Sequence, residues 1–244
     1  MPPALSGIFV VGTDTGVGKT HIAAALTRAI VRDGRKVGVL KPVATGATQS
    51  PDGWICDDAA RLIAALENPA PLERVVPLLY SDPLAPSLAA RRAGKPLSQA
   101  HVEAVTNKAL AWWSERVDVI VVEGIGGLLC PLAEGTTLAD LAVALDFPLL
   151  IVARRGLGTL NHTLLTVEAA NFRSLRIAGI VLNSPEPQTD SLAEALSAQE
   201  LSRRLPGIAV LAEIDHQPDA AWPDSSLFVN WYQQARPSRF PAQP

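Results

Sequence analysis

The segment GTDTGVGKT, residues 12–20, has the composition of a loop that binds phosphate. In the common pattern G-x-x-x-x-G-K-[ST], the first glycine would stand at position 13, but this chain has Thr13 there and Gly12 before it. The extra residue lengthens the loop without moving the second glycine, the lysine or the threonine relative to the helix that follows. The half of the loop that faces phosphate is therefore intact.

Each residue type in this loop has a chemical reason to be there. Gly16 and Gly18 allow a tight turn whose backbone N–H groups point at an anion, beside the positive end of a helix. Lys19 would reach the β- and γ-phosphates, and Thr20 would place its hydroxyl on Mg²⁺. The alternative is a glycine turn before an ordinary helix, which the apolar run before the loop disfavours. We also expect ATP contacts from the neighbouring Thr15, Val17 and His21.

Two charged residues follow apolar runs that read as strands. Lys41 follows VGVL and precedes Pro42, and Glu123 follows VIVV and precedes a glycine-rich turn. Ligands of open α/β sheets lie outside the carboxyl ends of the strands, where Lys41 could neutralise a transferring phosphoryl group and Glu123 could hold Mg²⁺. The alternatives are a solvated surface lysine, which is equally favoured, and an exposed loop glutamate.

Three further segments carry polar groups that have more than one reading. Asp57 and Asp58 begin a helix, where they could cap it or contribute one metal ligand. Asn161, in GLGTLNHTLLT, begins another helix and could form an anion pocket for a substrate carboxylate, whereas packing or capping is the favoured role of His162. Asn183 ends GIVLN, where reading an adenine edge and forming a turn are equally favoured.

The elements that must position these groups alternate along the chain. Short β-branched runs predict buried parallel strands at residues 8–11, 37–40, 119–122, 149–153 and 177–182. Amphipathic segments predict helices at residues 19–32, 57–66, 98–116, 137–145, 160–174 and 191–204, the last with capping-box spacing of Ser191 and Glu194. This alternation predicts an α/β fold with a mostly parallel central sheet and helices on both faces.

The remaining segments are richer in proline. Residues 67–97 predict a long excursion with one short strand or helix. We expect a single domain over residues 1–234 and a flexible tail over residues 235–244.

Composition excludes several classes of protein. With 48% hydrophobic and 18% charged residues in 244, the chain is expected to be globular, and its net charge of -3 argues against a nucleic-acid surface. Cys56 and Cys130 lack the spacing of a disulfide framework or a zinc site. No basic leader and no apolar run of about 18 residues is seen, so we expect a cytoplasmic protein without a membrane partner.

Taken in order, these motifs resemble those of the dethiobiotin synthetase family of P-loop NTPase-like enzymes. The matching segments are GTDTGVGKT, KPVATG, DDA, VVEGIGGLLCPL, VARRGLGTLNHTLLT and GIVLN, spread over residues 8–214. The phosphate loop that is longer by one residue is also typical of that family. The resemblance implies an ATP-dependent cyclo-ligase of biotin biosynthesis that joins CO₂ to 7,8-diaminopelargonate. In it, a carbamate would be phosphorylated by ATP and closed to a cyclic urea, with ADP and phosphate released.

The resemblance also implies roles for particular residues. Lys19 and Lys41 would be catalytic, and Thr20, Asp58 and Glu123 would hold Mg²⁺, Asp58 being preferred to Asp57 because it directly precedes Ala59 in the matched DA. Further ATP contacts would come from Gly124, Ile125, Gly126, Asn183 and Ser184. The diamine substrate would contact Thr45, Leu160 and Asn161. Family members are similar in being homodimers with substrate near the subunit boundary, so we expect a homodimer, to which Trp112 and Trp113 could contribute.

Three departures from the family pattern concern the nucleotide. Ile125 replaces a small residue in the glycine turn, Asp215 and His216 stand where a proline-led loop is usual, and Ser184 replaces an acidic residue.

Three rival classes share the phosphate loop. A P-loop partitioning or regulatory ATPase would carry an additional lysine near the start of the loop, where this chain has Asp14, and this mismatch disfavours it. A cobyrinate-type amide synthase would need a glutaminase domain, which does not fit in 244 residues. A pure nucleotide-binding module is the third, and it would show no turnover that depends on the diamine.

Overall fold

A central six-stranded sheet organises the chain. The computed structural model describes residues 5–51, 53–187 and 192–216. The six strands are all parallel and lie in the order β12-β11-β10-β1-β7-β2. Their bounds are β1 Ser6–Gly12, β2 Val37–Leu40, β7 Val119–Gly127, β10 Leu149–Arg154, β11 Ile177–Asn183 and β12 Val210–Ile214. Three two-stranded pairs lie outside this sheet: β3 Val43–Thr45 with β6 Leu78–Tyr80, β4 Thr48–Ser50 with β5 Gly53–Ile55, and β8 Pro131–Ala133 with β9 Thr136–Thr137.

The central strands are covered on both faces. Consecutive residues of β1, β7 and β10 are buried, and because successive side chains point to opposite faces, both faces must be packed. Eight helices surround the strands of the described chain: α1 Lys19–Arg32, α2 Asp57–Ala64, α3 Leu72–Val75, α4 Pro86–Arg92, α5 Gln99–Ser114, α6 Leu138–Leu145, α7 Thr159–Phe172 and α8 Leu192–Arg204. The predicted α/β fold with a parallel central sheet is confirmed.

Strand register places the charged residues side by side. Leu40 of β2 pairs with Val122 of β7, so Lys41, directly after the end of β2, and Glu123, within β7, lie at the same level. Glu123 also pairs with Val10 of β1, two residues before the phosphate loop. The carboxyl ends of three adjacent parallel strands therefore meet at one edge.

Two glycines allow close packing of the layers around the sheet. A Cβ on Gly38 would lie 2.5 Å from Trp113 Cε3, and a Cβ on Gly124 would lie 2.6 Å from Leu138 Cδ2. Trp113 is buried in the core and its indole N–H donates to the carbonyl of Arg74, while Trp112 is half-buried. The structure thus assigns Trp113 to the core rather than to an outer surface.

The sequence-based prediction missed some elements. The proline-rich excursion contains α3, β6 and α4 instead of one short element, and α4 begins with a proline, which is well suited to a first helical turn. Strand β12 was not predicted. The proposed cap Ser191 and the tail at 235–244 lie outside the described residues. Within those described, no helix has the length and apolar character needed to cross a bilayer.

Candidate functional site

The phosphate loop joins β1 to α1 at the carboxyl edge of the sheet. Gly16 and Gly18 have φ angles of 73° and 93°, in the left-handed region that favours glycine. Gly18 immediately precedes the first residue of α1, so the unpaired N–H groups of the first helical turn face the loop. This end of α1 is arranged to bind an anion.

Gly12 explains the unusual spacing of the loop. The ammonium of Lys19 donates a hydrogen bond of 2.8 Å to the carbonyl oxygen of Asp14. A Cβ at position 12 would lie 2.7 Å from that oxygen and 2.8 Å from Lys19 Nζ. The glycine is therefore needed where the lysine side chain folds back over the lengthened loop.

Four polar side chains form a compact cluster beside the loop. Lys41 Nζ lies 2.6 Å from Glu123 Oε1 and 2.8 Å from Asp58 Oδ2. The hydroxyl oxygen of Thr20 lies 2.9 Å from Asp58 Oδ1 and 2.7 Å from Glu123 Oε1, so its proton can be donated to either. The structure thus brings together residues from α1, α2, the end of β2 and the middle of β7.

The charges of this cluster depend on one another. Burial acts to lower the pKa of Lys41, but the carboxylates of Glu123 and Asp58 outweigh it and raise the pKa to about 12. Burial acts to raise the pKa of Asp58, and the nearby Lys41 ammonium with the Thr20 hydroxyl brings it below its usual value. Lys41 is therefore a permanent cation at neutral pH and Asp58 a permanent anion.

Lys19 behaves differently from Lys41. Burial lowers its pKa, and the neighbouring Lys41 ammonium lowers it further, while Glu123 and Asp58 oppose them; the result is a pKa of about 8. Two ammonium groups thus share one site, and the one on the loop holds its proton less tightly. A bound phosphate chain would favour the protonated form of both.

The cluster fits the ligand preference of Mg²⁺. Glu123 is 1% exposed, and its second oxygen, Oε2, is buried without a hydrogen-bond partner. In the described chain no group of three or more His, Cys, Asp and Glu side chains forms a self-sufficient metal cage. Two carboxylates with the Thr20 hydroxyl are nevertheless a suitable set, because Mg²⁺ takes its remaining ligands from phosphates and water.

These groups line one cavity of about 360 Å³. Thr45, Ile125 and Gly126 also line it, together with Thr15, Gly16, Gly18 and His21. Arg61 also lines it and was not singled out from the sequence. Its position three residues after Asp58 places both on one face of α2, a spacing that could have identified it.

A second cavity, of about 450 Å³, adjoins the first at Gly18, His21 and Arg61. Asn183, Ser184, Asp215 and His216 line it beside the ends of β11 and β12. The space between phosphate loop and strand ends is where the fold would place a nucleoside.

Asn183 contacts the phosphate loop directly. Its side-chain amide donates a 2.9 Å hydrogen bond to the carbonyl of Val17, and a Cβ on Gly18 would lie 2.1 Å from the same Nδ2. Val17 itself is fully buried and presents only this carbonyl. Sequence reasoning considered a base contact or a turn for Asn183 and missed this bond, which joins residues 166 positions apart.

The second cavity is positively charged on its α1 and α2 side. Burial lowers the pKa of His21, and the charges of Arg28, Arg61 and His216 lower it further. The Asp215 carboxylate at the opposite side is paired with Arg155 at 2.6 Å.

Besides the buried Val17, three predicted site residues line neither cavity. Gly124 packs in the core against Leu138 rather than on either cavity wall. Leu160 is partly buried against the core, and Asn161 is exposed in the first turn of α7; neither lines the two cavities. That turn follows Gly158, whose φ is 92°.

Comparison with solved structures supports the fold. A putative plasmid partition protein from Borrelia burgdorferi B31 bound to AMPPNP gives a TM-score of 0.54 at 13% identity, covering 95% of both chains. A ParA family ATPase from Chlorobium tepidum TLS gives 0.53 at 16% identity, covering 88% of this chain and 87% of the other. At such identities the similarity concerns the P-loop fold alone.

Sequence comparison is more specific. A family described as an AAA domain matches residues 6–224. An ATP-dependent dethiobiotin synthetase BioD of Anaeromyxobacter dehalogenans (strain 2CP-1 / ATCC BAA-258) is 46% identical over 217 residues, covering 89% of this chain and 93% of that protein. The protein of the same name from Anaeromyxobacter sp. (strain Fw109-5) is 43% identical over 218 residues, with the same coverage. Identity of this extent reaches far beyond the phosphate loop, and the chain belongs to the ATP-dependent dethiobiotin synthetase family.

Proposed function

We propose that this chain catalyses the ATP-dependent formation of dethiobiotin from 7,8-diaminopelargonate and CO₂ in biotin biosynthesis. The observation that carries the proposal is the convergence of Lys19, Lys41, Thr20, Asp58 and Glu123 on one cavity. The names of the relatives that match nearly the whole chain support it.

The chemistry requires two anions to approach each other. One amine of the diamine adds to CO₂ and loses a proton, which gives a carbamate. A carbamate oxygen then attacks the γ-phosphorus of ATP, and ADP leaves. The second amine attacks the carbonyl carbon of the resulting carbamic-phosphoric anhydride, loses a proton and expels phosphate, which closes the urea ring.

The two lysines have the charge and position to assist the phosphoryl transfer. Lys19 would bind the β- and γ-phosphates, and Lys41 would stabilise negative charge between the γ-phosphate and the carbamate. Mg²⁺, when bound, would supply further positive charge at the phosphates. Thr20, Asp58 and Glu123 would hold it, with the orphaned Oε2 of Glu123 as one ligand.

The diamine would lie on the Thr45 side of the cavity, with its carboxylate at the first turn of α7. Because Leu160 and Asn161 do not line the cavity of their own chain, the proposal includes a homodimer in which a second copy supplies them. The outward face of α7 supports this, since Leu165 and Phe172 are 59% and 86% exposed. We also propose that the protein acts in the cytoplasm, where thiols such as those of Cys56 and Cys130 stay reduced.

The decisive experiment is an omission assay. Protein, Mg²⁺, ATP, bicarbonate and 7,8-diaminopelargonate are mixed, and each is then left out in turn. We expect ADP release to depend on the diamine and dethiobiotin to appear by mass spectrometry. ATP hydrolysis that proceeds equally well without diamine, with no dethiobiotin, would instead support a switch ATPase.

A further inference from the structure

The second cavity, of about 450 Å³, continues away from Asn183 into a groove between α1 and α2. Residues three and four apart lie on one helix face, which explains why one face of each helix lines it: His21, Ala24 and Arg28 from α1, and Arg61 and Ala64 from α2. The Cα–Cβ bonds of a helix tilt toward its N-terminus, so the Arg28 side chain is directed back toward the phosphate loop. The two alanines leave the groove open between the guanidinium groups.

The two arginines place two guanidinium charges on the lining of this groove. In the parts of the chain that the structure describes, neither Arg28 nor Arg61 forms an ion pair. The acidic residue of the cavity lining, Asp215, forms an ion pair with Arg155. Since the chain has a net charge of -3, this positive groove is a local feature and not part of a basic surface.

An uncharged nucleoside does not account for such a groove. In the proposed function the phosphate loop, Lys19 and Lys41 bind the triphosphate, and the base lies toward Asn183. A guanidinium presents a rigid fork of donors that matches phosphate oxygens in a bidentate manner. Arg61 lines both cavities, whereas Arg28 lines the second cavity and not the first, so an anion held by both arginines would lie in the second cavity, beside the proposed ribose.

We propose that Arg28 and Arg61 form a second phosphate site, separate from the phosphate loop. Its ligand is a phosphate group, either carried on the ribose of a nucleotide or present as the free ion. The ribose-linked case rests on the proposed placement of the nucleoside beside Asn183. A nucleotide phosphorylated on its ribose would then bind more tightly than its unmodified counterpart and compete with ATP.

The test compares ligands that differ by one phosphate. Isothermal titration in the absence of Mg²⁺ measures the Kd of AMP and of adenosine 3′,5′-bisphosphate, and separately the binding of inorganic phosphate to protein saturated with ADP. We expect the bisphosphate to bind at least tenfold more tightly than AMP, or free phosphate to bind the ADP complex. In Arg28→Ala/Arg61→Ala the AMP-to-bisphosphate ratio of Kd values should fall to near one, and phosphate binding to the ADP complex should be lost.

The matched control is Arg91→Ala/Lys95→Ala, which removes two exposed charges elsewhere and should retain the wild-type ratio. A gain with bisphosphate that persists in Arg28→Ala/Arg61→Ala would overturn the proposal, as would the absence of both gains in the wild type. An equal loss of AMP and bisphosphate affinity would also overturn it, because the arginines would then act on the base or the 5′-phosphate. Failure of the proposed function is distinguishable, since the omission assay would then show no diamine-dependent ADP release, whereas the comparison of AMP with the bisphosphate reports on the arginine site alone.

Discussion

Lys41 is the residue whose removal separates catalysis from nucleotide binding most clearly. Lys41→Met keeps an unbranched side chain, one atom shorter, but removes the charge proposed to act on the transferring phosphoryl group. We expect turnover to fall by about a hundredfold to a thousandfold, as for loss of one key electrostatic group, while ADP still binds through Lys19. Diamine-dependent ADP release and ADP titration measure the two effects.

The same substitution carries a structural cost. Glu123 is 1% exposed and would lose its 2.6 Å partner, so a destabilisation of about 3 kcal/mol is expected. Lys41→Met/Glu123→Gln should recover stability without activity. Exposed Lys95→Met serves as the control and should be neutral in both measurements. Full activity of Lys41→Met would remove this lysine from the mechanism.

Lys19 predicts a pH dependence of nucleotide affinity. Its pKa is lowered to about 8 by burial and Lys41, whereas phosphate prefers the ammonium form. Affinity for ADP without Mg²⁺ should be constant below that pKa and weaken by up to about tenfold per pH unit above it. Lys41, with a pKa of about 12, remains charged throughout.

Stability should change in the opposite direction. The unfolded chain binds the Lys19 proton with the ordinary pKa of 10.5, so folding is favoured progressively as pH rises from about 8 to 10.5.

The control for the affinity prediction is Lys19→Arg, which stays protonated and should show ADP affinity that does not change over this range. The same pH slope in wild type and Lys19→Arg would contradict the assignment. Calorimetric titration with ADP at several pH values measures this slope.

Gly18 and Gly34 provide a matched pair for the phosphate loop. Both have left-handed φ angles, 93° and 76°, but a Cβ on Gly18 would meet the Asn183 amide at 2.1 Å, and one on Gly34 meets nothing within 4 Å. Substituting each with alanine should cost about 1 kcal/mol of backbone strain. Only Gly18→Ala should also lose ADP affinity; equal affinities in the two variants would show that the contact with Asn183 does not matter.

At the scale of elements, the sequence predicted what local periodicity determines. Helix α1 and strand β2 have the predicted bounds, because an alanine- and leucine-rich segment and an isolated apolar run each have one plausible structure. Strand β12 was missed because it is not a continuous apolar run like the fully buried β2: Glu213 stands within it and is exposed. Elements α3, β6 and α4 were hidden by prolines, which are compatible with a helix start but read as loop.

The site was predictable only as far as strand ends imply proximity. Lys41 and Glu123 could be placed together because adjacent parallel strands share an edge. The bond from Asn183 to Val17, and the position of Arg28 and Arg61 on one groove, depend on how loops and helices pack against one another, which local spacing does not predict. The opposite holds for Asn161: its sequence motif indicated a site residue, but within one chain it lies outside the linings of both cavities.

Helix α6 offers a test of an element that supports the site without touching substrate. Asp140 accepts hydrogen bonds from the Thr137 backbone N–H at 2.7 Å and hydroxyl at 2.8 Å, completing a capping box. Asp140→Ala should lower the free energy of unfolding by about 1 kcal/mol and leave KM for ATP unchanged. Exposed Glu134→Ala is the control, and chemical denaturation is the measurement. An unchanged stability would show that the cap is dispensable.

At the scale of the whole molecule, the proposed homodimer predicts complementation. If Lys41 acts with Asn161 of a second copy, mixed dimers of Lys41→Met and Asn161→Ala contain one intact site. A random mixture of the two inactive proteins should then regain about a quarter of wild-type activity per subunit. No recovery from subunits shown to exchange would mean that both residues act within one chain. Leu165→Glu should lower the dimer fraction in analytical ultracentrifugation.

The hydrogen bond from Asn183 to Val17 has a consequence for how ligands are recognised. One amide touches both the space for the base and the backbone that wraps the phosphates. The binding free energies of adenosine and of triphosphate alone should therefore not add up to the binding free energy of ATP. Binding of either fragment changes the position of Asn183 or of the phosphate loop, and through this hydrogen bond it changes the site of the other fragment. A change in the base of the nucleotide should accordingly also change how its γ-phosphate is bound and transferred, although the two groups are far apart.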